Sequence, residues 1–328
     1  MNFDQLFENF SGITVAVVGD VMLDTYWWGK VDRISPEAPV PVVAVSKKEQ
    51  RIGGAANVAL NLRSLGANVS MISVTGKDED GRLLQALLDE QQIDTRYLVA
   101  STERITTNKI RIISRNQHMM RLDAEQTTDL GKVDEEALLS AVERYIHHEQ
   151  PQVLILEDYN KGVLTQTSIA RIVQLCKNNN IIVTVDPKRN NFFTYKGVDI
   201  FKPNLKEAKE GLHVLAGDVD LPSMKYLHQL LFHELGHKIS LITLSEKGIF
   251  YQQDEDARLI PTHVRSIADV SGAGDTVIAV ASLVYAATGD VNLTAEMANI
   301  AGGLVCEEVG TVAIDKQKLQ EECKTLLS

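Results

Sequence analysis

Residues 13–19 read Ile13-Thr14-Val15-Ala16-Val17-Val18-Gly19 and run directly into Asp20. A short β-branched apolar run without polar alternation suits a strand buried on both faces, as strands are in a parallel sheet covered by helices. Similar runs recur at residues 69–74, 153–156, 181–185, 198–201 and 239–244. Amphipathic helical stretches lie between most of them, at 55–65, 81–91, 135–147, 167–178 and 224–235. This alternation predicts an α/β fold, a three-layer sandwich with a mainly parallel sheet between helices. Ligands of such sheets gather beyond the carboxyl ends of the strands, so the residues after each run are where chemistry is sought.

Two segments break the alternation. Residues 26–48 contain Pro36, Pro39 and Pro41 and then an extended stretch at 40–45, and residues 106–122 alternate with period two through Asn108-Lys109-Ile110-Arg111-Ile112-Ile113. Both suit antiparallel strands exposed on one face. They predict a small β-sheet lid, residues 26–50 and 104–122, inserted into the α/β body. No repeat, linker or compositional shift marks a second unit, so residues 1–328 are expected to form one domain.

The 328 residues are 44% hydrophobic and 23% charged, which excludes a disordered chain and leaves material for a sizeable core. Lys and Arg number 33 against 44 Asp and Glu, a net charge of −11. Such a surface repels nucleic acid and anionic lipid unless positive charge is locally concentrated, and no run of five basic residues occurs. Neither nucleic acid nor a membrane is expected as a partner. Three cysteines, Cys176, Cys306 and Cys323, are too few and too scattered for a disulfide framework or a zinc site. The first residues lack the basic and apolar regions of a signal peptide, and the longest apolar run, 277–287, is interrupted by Ser282 and too short for a bilayer. A cytoplasmic location is expected.

The strongest chemical signal is Asp269-Val270-Ser271-Gly272-Ala273-Gly274-Asp275-Thr276, followed at once by the apolar helical run. Two glycines opening a helix let backbone N–H groups face an anion with no side chain in the way. A carboxylate beside such a cradle would repel phosphate unless it takes a proton from a hydroxyl attacking that phosphate. A general base, Asp275, beside an anion hole of Gly272, Ala273 and Gly274 is the chemical reading; an ordinary turn with a capping Asp is the bland one. The dinucleotide fingerprint fails because Val277 stands where a third glycine is needed, and no Gly-Lys pair continues into Ser or Thr as a P-loop requires. A second glycine motif, Gly53-Gly54-Ala55-Ala56-Asn57, opens another helix, and Asp20 and Asp24 follow the first strand. Close ligand approach and hydrogen bonds to sugar hydroxyls are the functional reading of these; helix packing and turn formation are the plain one.

Gly-Asp, then GGAAN, then KPN with a following Glu, then DVSGAGDT, in that order over nearly the whole chain, resembles the ribokinase-like sugar kinases of the PfkB family. More narrowly, GDVMLDTYWWGKVDRISPEAPVPVV, RIGGAANVALNLRSLGA, RIISRNQHMMRLD, EDYNKGVL and VDPK are similar to the kinase part of the ADP-heptose system, which phosphorylates D-glycero-D-manno-heptose 7-phosphate at O1. The segment RISPEAPVPVV is the most distinctive. Some relatives carry a cytidylyltransferase-like domain after the kinase; with no HxGH motif before Ser328, a stand-alone kinase is expected.

The resemblance implies a ribokinase-like fold, ATP and Mg²⁺ as cofactors, and roles for particular residues. Asp275 would be the catalytic base and Gly272, Ala273 and Gly274 the anion hole. Asn204, Leu205, Lys206 and Glu207 match the family's NxxE element at the nucleotide phosphates, with Glu207 serving Mg²⁺ through water. Thr243, Ser245, Lys247 and Gly248 match the strand-end nucleotide site, and Asn299 the position near the adenine. Asp20, Asp24, Gly53, Gly54 and Asn57 match the sugar site. For the substrate's own phosphate, the cations Lys161, Lys188, Lys109 and Arg111 are candidates, the first two because they follow strand ends. Asp269 and Ser271 match a monovalent-cation site of some members. Kinases of ribose, fructose or fructose 6-phosphate, and a non-catalytic sugar sensor, are the competing readings; RISPEAPVPVV favours the heptose and the intact Asp275 disfavours the sensor. Trp27, Trp28 and residues 40–45, on a lid with exposed strand edges, lead to the expectation of a homodimer formed through the lids. The heptose would end in lipopolysaccharide or another surface glycan.

Overall fold

The computed structural model describes residues 2–115, 117–214, 218–263 and 265–327. Thr14–Gly19 pairs in parallel with Asn68–Gly76 on one side and with Val153–Glu157 on the other. The nine-stranded sheet runs in the order Asp256–Ile260, Ile249–Gln253, Ile239–Thr243, Ile200–Phe201, Ile182–Asp186, Val153–Glu157, Thr14–Gly19, Asn68–Gly76, Leu98–Ser101. Ile249–Gln253 alone runs against its neighbours.

The absence of polar alternation in the first strand has a direct cause. Val15 and Val17 belong to one hydrophobic cluster, while Ala16 and Val18 belong to another across the sheet. Successive side chains point to opposite faces, so a strand covered on both sides needs apolar residues at every position. One layer is built on Ala55–Leu65, Ala273–Thr288 and Val291–Val305. The other is built on Lys132–Glu149, Gln166–Asn178 and Leu221–Leu235. Every residue of Ala273–Thr288 from Asp275 to Tyr285 is buried, as expected of a helix that is apolar all round. Each fully buried Val, Leu or Ile there favours the fold by roughly 1.5–3 kcal/mol over an exposed one.

The expected ranges hold with three adjustments. The run at 198–201 yields only the two-residue strand Ile200–Phe201. The helix expected at 81–91 begins earlier, at Glu79, because Asp78 accepts from Gly81 N and caps it. The hairpin of Ile249–Gln253 and Asp256–Ile260, the strand Leu98–Ser101, and the helices Phe3–Asn9, Leu205–Leu212, Val291–Val305 and Lys316–Leu326 add to the expected set.

A second sheet has the order Pro41–Gly54, Val21–Ile34, Asn108–Ser114, Gln117–Ala124. Its first two strands are longer than expected: they begin at Val21 and end at Gly54, so the Asp24 and Gly53-Gly54 motifs lie within the lid strands. The outer pairings are antiparallel, but Val21–Ile34 and Asn108–Ser114 run parallel, since the chain traverses the main sheet between them. Residue 116, inside the expected lid range, lies outside the described residues.

Candidate active site

Val153–Glu157 and Ile182–Asp186 are parallel neighbours whose last residues, Glu157 and Asp186, are paired in register. Two side chains in register on adjacent strands stand on the same face of the sheet. Across from them, the helix Ala273–Thr288 begins at Gly272, whose φ of 79° is left-handed. A Cβ at Gly272 would lie 2.8 Å from Asn57 Nδ2, so a side chain there would displace the amide. The turn before it is tied by Asp269, which accepts from Ser271 N and Oγ on one oxygen and from Gly310 N on the other.

Asp275 is buried at the first turn of that helix. Asn57 Nδ2 donates to its Oδ2 at 2.7 Å and the Tyr159 hydroxyl donates to its Oδ1 at 2.6 Å. Burial pushes the carboxyl up to about 6, against the two donated hydrogen bonds. Each oxygen keeps a lone pair for a further donor. Helix Ala55–Leu65 supplies Asn57 and is itself locked to the second helix by Asn61, whose side chain accepts from Thr276 Oγ1. Carboxylate oxygens of Glu157, Asp186 and Asp275 lie within 4.8 Å of one another.

Asp186 also receives two ammoniums, Lys202 Nζ at 2.8 Å and Lys188 Nζ at 3.1 Å. Burial would raise its carboxyl, but these lysines outweigh burial and hold it below the ordinary carboxylate range. Lys188 reaches on to Glu207 at 3.0 Å, and its own ammonium is held above the ordinary range because Asp186 and Glu207 outweigh its burial. Glu207 and Asn204 form a reciprocal capping box at the start of Leu205–Leu212, Asn204 N donating to Glu207 and Glu207 N to Asn204, each at 2.8 Å. Both oxygens of Glu207 are thereby engaged by protein groups.

Beyond Glu207 opens a cleft of about 1070 Å³, lined by Asn204, Leu205, Lys206, Ser245 and Lys247 among others, with Arg189 and Lys209 adding positive charge. Thr243 closes the strand next to it and is bridged to Asn204. Gly248 has φ 96°, and a Cβ there would lie 2.0 Å from Ile260 O. Of the expected nucleotide residues, Asn204, Leu205, Lys206, Ser245 and Lys247 line this cavity, Glu207, Thr243 and Gly248 sit beside lining residues without lining it, and Asn299 lies apart. Asn299 donates to Pro261 O at 2.9 Å and braces the loop after Asp256–Ile260; it does not line the cleft.

On the lid side, Asp24 is buried and accepts from Arg111 Nη1. Gly53 has no room for a side chain, since a Cβ would fall 2.2 Å from Asp24 Oδ2. Arg51 and Arg111 both stack on Tyr26, at 5.2 and 5.3 Å from its ring. Asp20 serves differently from Asp24. Its carboxylate accepts from Tyr159 N, Lys161 N and Val163 N at 2.8–3.0 Å, which fixes the loop carrying Tyr159. Burial, reinforced by Asp158, still raises it to about 6.

The four candidate phosphate cations separate by their partners. Arg111 is held by Asp24, Lys188 by Asp186 and Glu207, and Lys161 by Glu125 at 2.7 Å. Lys109 has no carboxylate oxygen within 4.0 Å among the described residues, and its Nζ lies 6.0 Å from the Tyr159 ring. Burial, helped by nearby Lys161, holds its ammonium below the ordinary lysine range. Sequence reasoning passed over Tyr159, Glu157, Lys202 and Arg51 as site residues. For the first three a usable signal existed, since each sits at or just after a strand end.

The chain belongs to the pfkB family of carbohydrate kinases, whose model matches residues 13–318. Membership of this family supports a phosphotransferase acting on a sugar hydroxyl. It is 36% identical over 319 residues to the bifunctional protein HldE of Geobacter sulfurreducens, covering 97% of this chain and 64% of that protein. It is 38% identical over 307 residues to HldE of Coxiella burnetii, covering 93% and 62%. The chain therefore spans a little under two thirds of these relatives' length. In fold it is similar to phosphofructokinase-2 from Escherichia coli in complex with potassium, with a TM-score of 0.81 at 16% identity over 96% of this chain and 99% of the other. It is also similar to Arabidopsis thaliana ribokinase complexed with ribose and ATP, with a TM-score of 0.72 at 17% identity over 94% and 99%. No described helix is long and apolar enough to cross a membrane.

Proposed function

We propose that this pfkB-family kinase transfers the γ-phosphoryl group of ATP to O1 of D-glycero-D-manno-heptose 7-phosphate, giving the 1,7-bisphosphate in ADP-heptose biosynthesis. Asp275 takes the proton of the anomeric hydroxyl as that oxygen attacks phosphorus and ADP leaves. Tyr159 and Asn57 hold the carboxylate in position while leaving each oxygen able to accept from the sugar. The backbone of Gly272, Ala273 and Gly274 faces the transferred group at the helix N-terminus, where the dipole favours negative charge. ATP occupies the cleft bounded by Asn204, Leu205, Lys206, Ser245 and Lys247. Mg²⁺ bound with it supplies charge neutralisation at the phosphates. The oxygen-rich set on Asp186 and its neighbours Glu157 and Asp275 has the ligand chemistry this ion prefers.

The observation that carries a phosphorylated sugar over a neutral one is Lys109. An ammonium that is half-buried, unpaired with any carboxylate among the described residues and next to a second lysine is costly for the empty protein. A phosphomonoester seated between Lys109 and Lys161 removes that cost. The heptose itself is favoured by the segment RISPEAPVPVV and by 36–38% identity to HldE proteins.

The test is turnover with ATP and Mg²⁺ on pairs of sugars that differ only in the distal phosphate: heptose with heptose 7-phosphate, and fructose with fructose 6-phosphate. Preference for heptose 7-phosphate is expected, and Lys109→Met is expected to cut the preference for the phosphorylated member by ten-fold or more. Turnover confined to another sugar phosphate would remove the pathway. A preference unchanged in Lys109→Met would remove the phosphate seat.

A further inference from the structure

Glu157 is fully buried at the end of Val153–Glu157, and neither of its carboxylate oxygens has a hydrogen-bond partner. Its backbone is fixed from both sides. Asp20 N donates to Glu157 O, and a Cβ at Gly19 would lie 1.9 Å from that same oxygen, so only glycine lets the strands approach this closely. Register with Asp186 then aims the side chain into the cluster with Asp186 and Asp275. A buried carboxylate normally finds donors, because leaving it unpaired costs far more than a surface position would. Tyr159 and Asn57 are spent on Asp275, and the two lysines on Asp186 and Glu207.

Charge leads to the same place. Glu157, Asp186, Asp275 and Glu207 bring four carboxyl groups against two ammoniums, Lys188 and Lys202, and burial raises the Glu157 carboxyl well above its ordinary range in the empty protein. A divalent cation bound there would favour its ionised form. The geometry suits it, since oxygens on opposite sides of a magnesium ion stand about 4 Å apart, twice a bond of about 2.1 Å. One carboxylate oxygen from each of Glu157, Asp186 and Asp275 lies within 4.8 Å of the others. Glu207, by contrast, is committed to Asn204 and Lys188.

We propose that Glu157 is a direct ligand of a divalent cation held with Asp186 beside Asp275, and that this cation binds before the nucleotide arrives. The ion would offset the repulsion that four carboxylates exert on an entering triphosphate. Only this last role rests on the kinase reading given above; the binding itself does not depend on which sugar is used.

The experiment is Mn²⁺ binding to the full chain without nucleotide or sugar, read from the loss of the free-ion electron paramagnetic resonance signal, with Mg²⁺ as competitor. Saturable binding of one Mn²⁺, displaced by Mg²⁺, is expected. Glu157→Gln keeps shape and removes charge, and is expected to weaken binding at least ten-fold; Glu157→Asp, which keeps charge but shortens the reach, should fall between. Glu207→Gln is expected to stay within about two-fold of the parent. Circular dichroism and Mg²⁺-dependent melting confirm that each variant is folded. Unchanged affinity in Glu157→Gln, greater loss in Glu207→Gln, or no Mn²⁺ bound by the parent protein would each overturn the proposal. Binding that behaves as expected in a protein inactive on heptose 7-phosphate would leave this site standing and remove only the substrate assignment.

Discussion

As the proposed base, Asp275 meets two opposed requirements. A base must be ionised at working pH, yet the water-poor site that makes it effective favours its neutral form. The compromise is a carboxyl pushed up to about 6 from an ordinary 3.8. The neutral form is favoured in the folded state, so this group's contribution to stability is fully present below pH 3.8 and is lost as pH rises through 6. Two pKa units correspond to about 3 kcal/mol at neutral pH. Asp275→Asn is therefore expected to melt higher than the parent at pH 8 and to lose that advantage at pH 4. Asn57 assists, because its buried Oδ1 lacks a partner and could accept from the new amide once Asn57 turns. The same change is expected to lower kcat by about 10²–10⁴-fold, the usual contribution of a general base. The parent's kcat should fall ten-fold per unit below pH 6. Melting and kcat across pH 4–9 check both; a substitution that lowered stability at pH 8 would show that the carboxylate is held more favourably than its burial implies.

At the scale of elements, the site is made by two glycine turns and by strand ends that neighbour each other. Gly53 is where lid and helix meet, and its missing Cβ is the space Asp24 occupies. Gly53→Ala is expected to push Asp24 off Arg111, raising KM for the sugar about ten-fold while KM for ATP changes less than two-fold. Steady-state kinetics with each substrate varied separately checks this, and equal effects on both would refute it. What the sequence made legible follows the same division. The strand at 13–19 and the glycine motifs at 53–57 and 269–276 are local patterns, so period and glycine spacing were enough to read them. Tyr159, Lys202 and Glu157 were not read, because their roles come from the order in which strands lie side by side. Asp20 shows the limit in the other direction. Its place after a strand suggested a sugar contact, whereas three backbone N–H groups occupy its carboxylate and make it the clamp of the Tyr159 loop.

The whole molecule carries a charge of −11 and still stacks Arg51 and Arg111 on Tyr26 of the lid and places Lys109 beside Tyr159. The lid achieves this by having two unlike faces. Alternation along its strands places Asp24, Tyr26, Trp28, Lys109 and Arg111 on one face and Trp27, Ile110, Ile112, Met120 and Leu122 on the other. The two tryptophans thus part company: Trp28 stacks on Tyr26 on the charged face, and Trp27 alone joins the apolar one. Met120 is 56% exposed and Leu122 42%, with Val45 at 44% beyond them. An apolar sheet face left open to water is a surface that pairs. A second copy of the lid, related by a two-fold axis, offers the same face to it. We expect a homodimer closed through these faces at micromolar concentration by sedimentation. Leu122→Glu is expected to shift the equilibrium at least ten-fold towards monomer, because two like charges would be buried across the axis. Leu122 lies on the face away from Asp24 and Arg111, so residual monomer activity would separate assembly from catalysis. A parent protein that sediments as a monomer would assign the apolar face to some other cover.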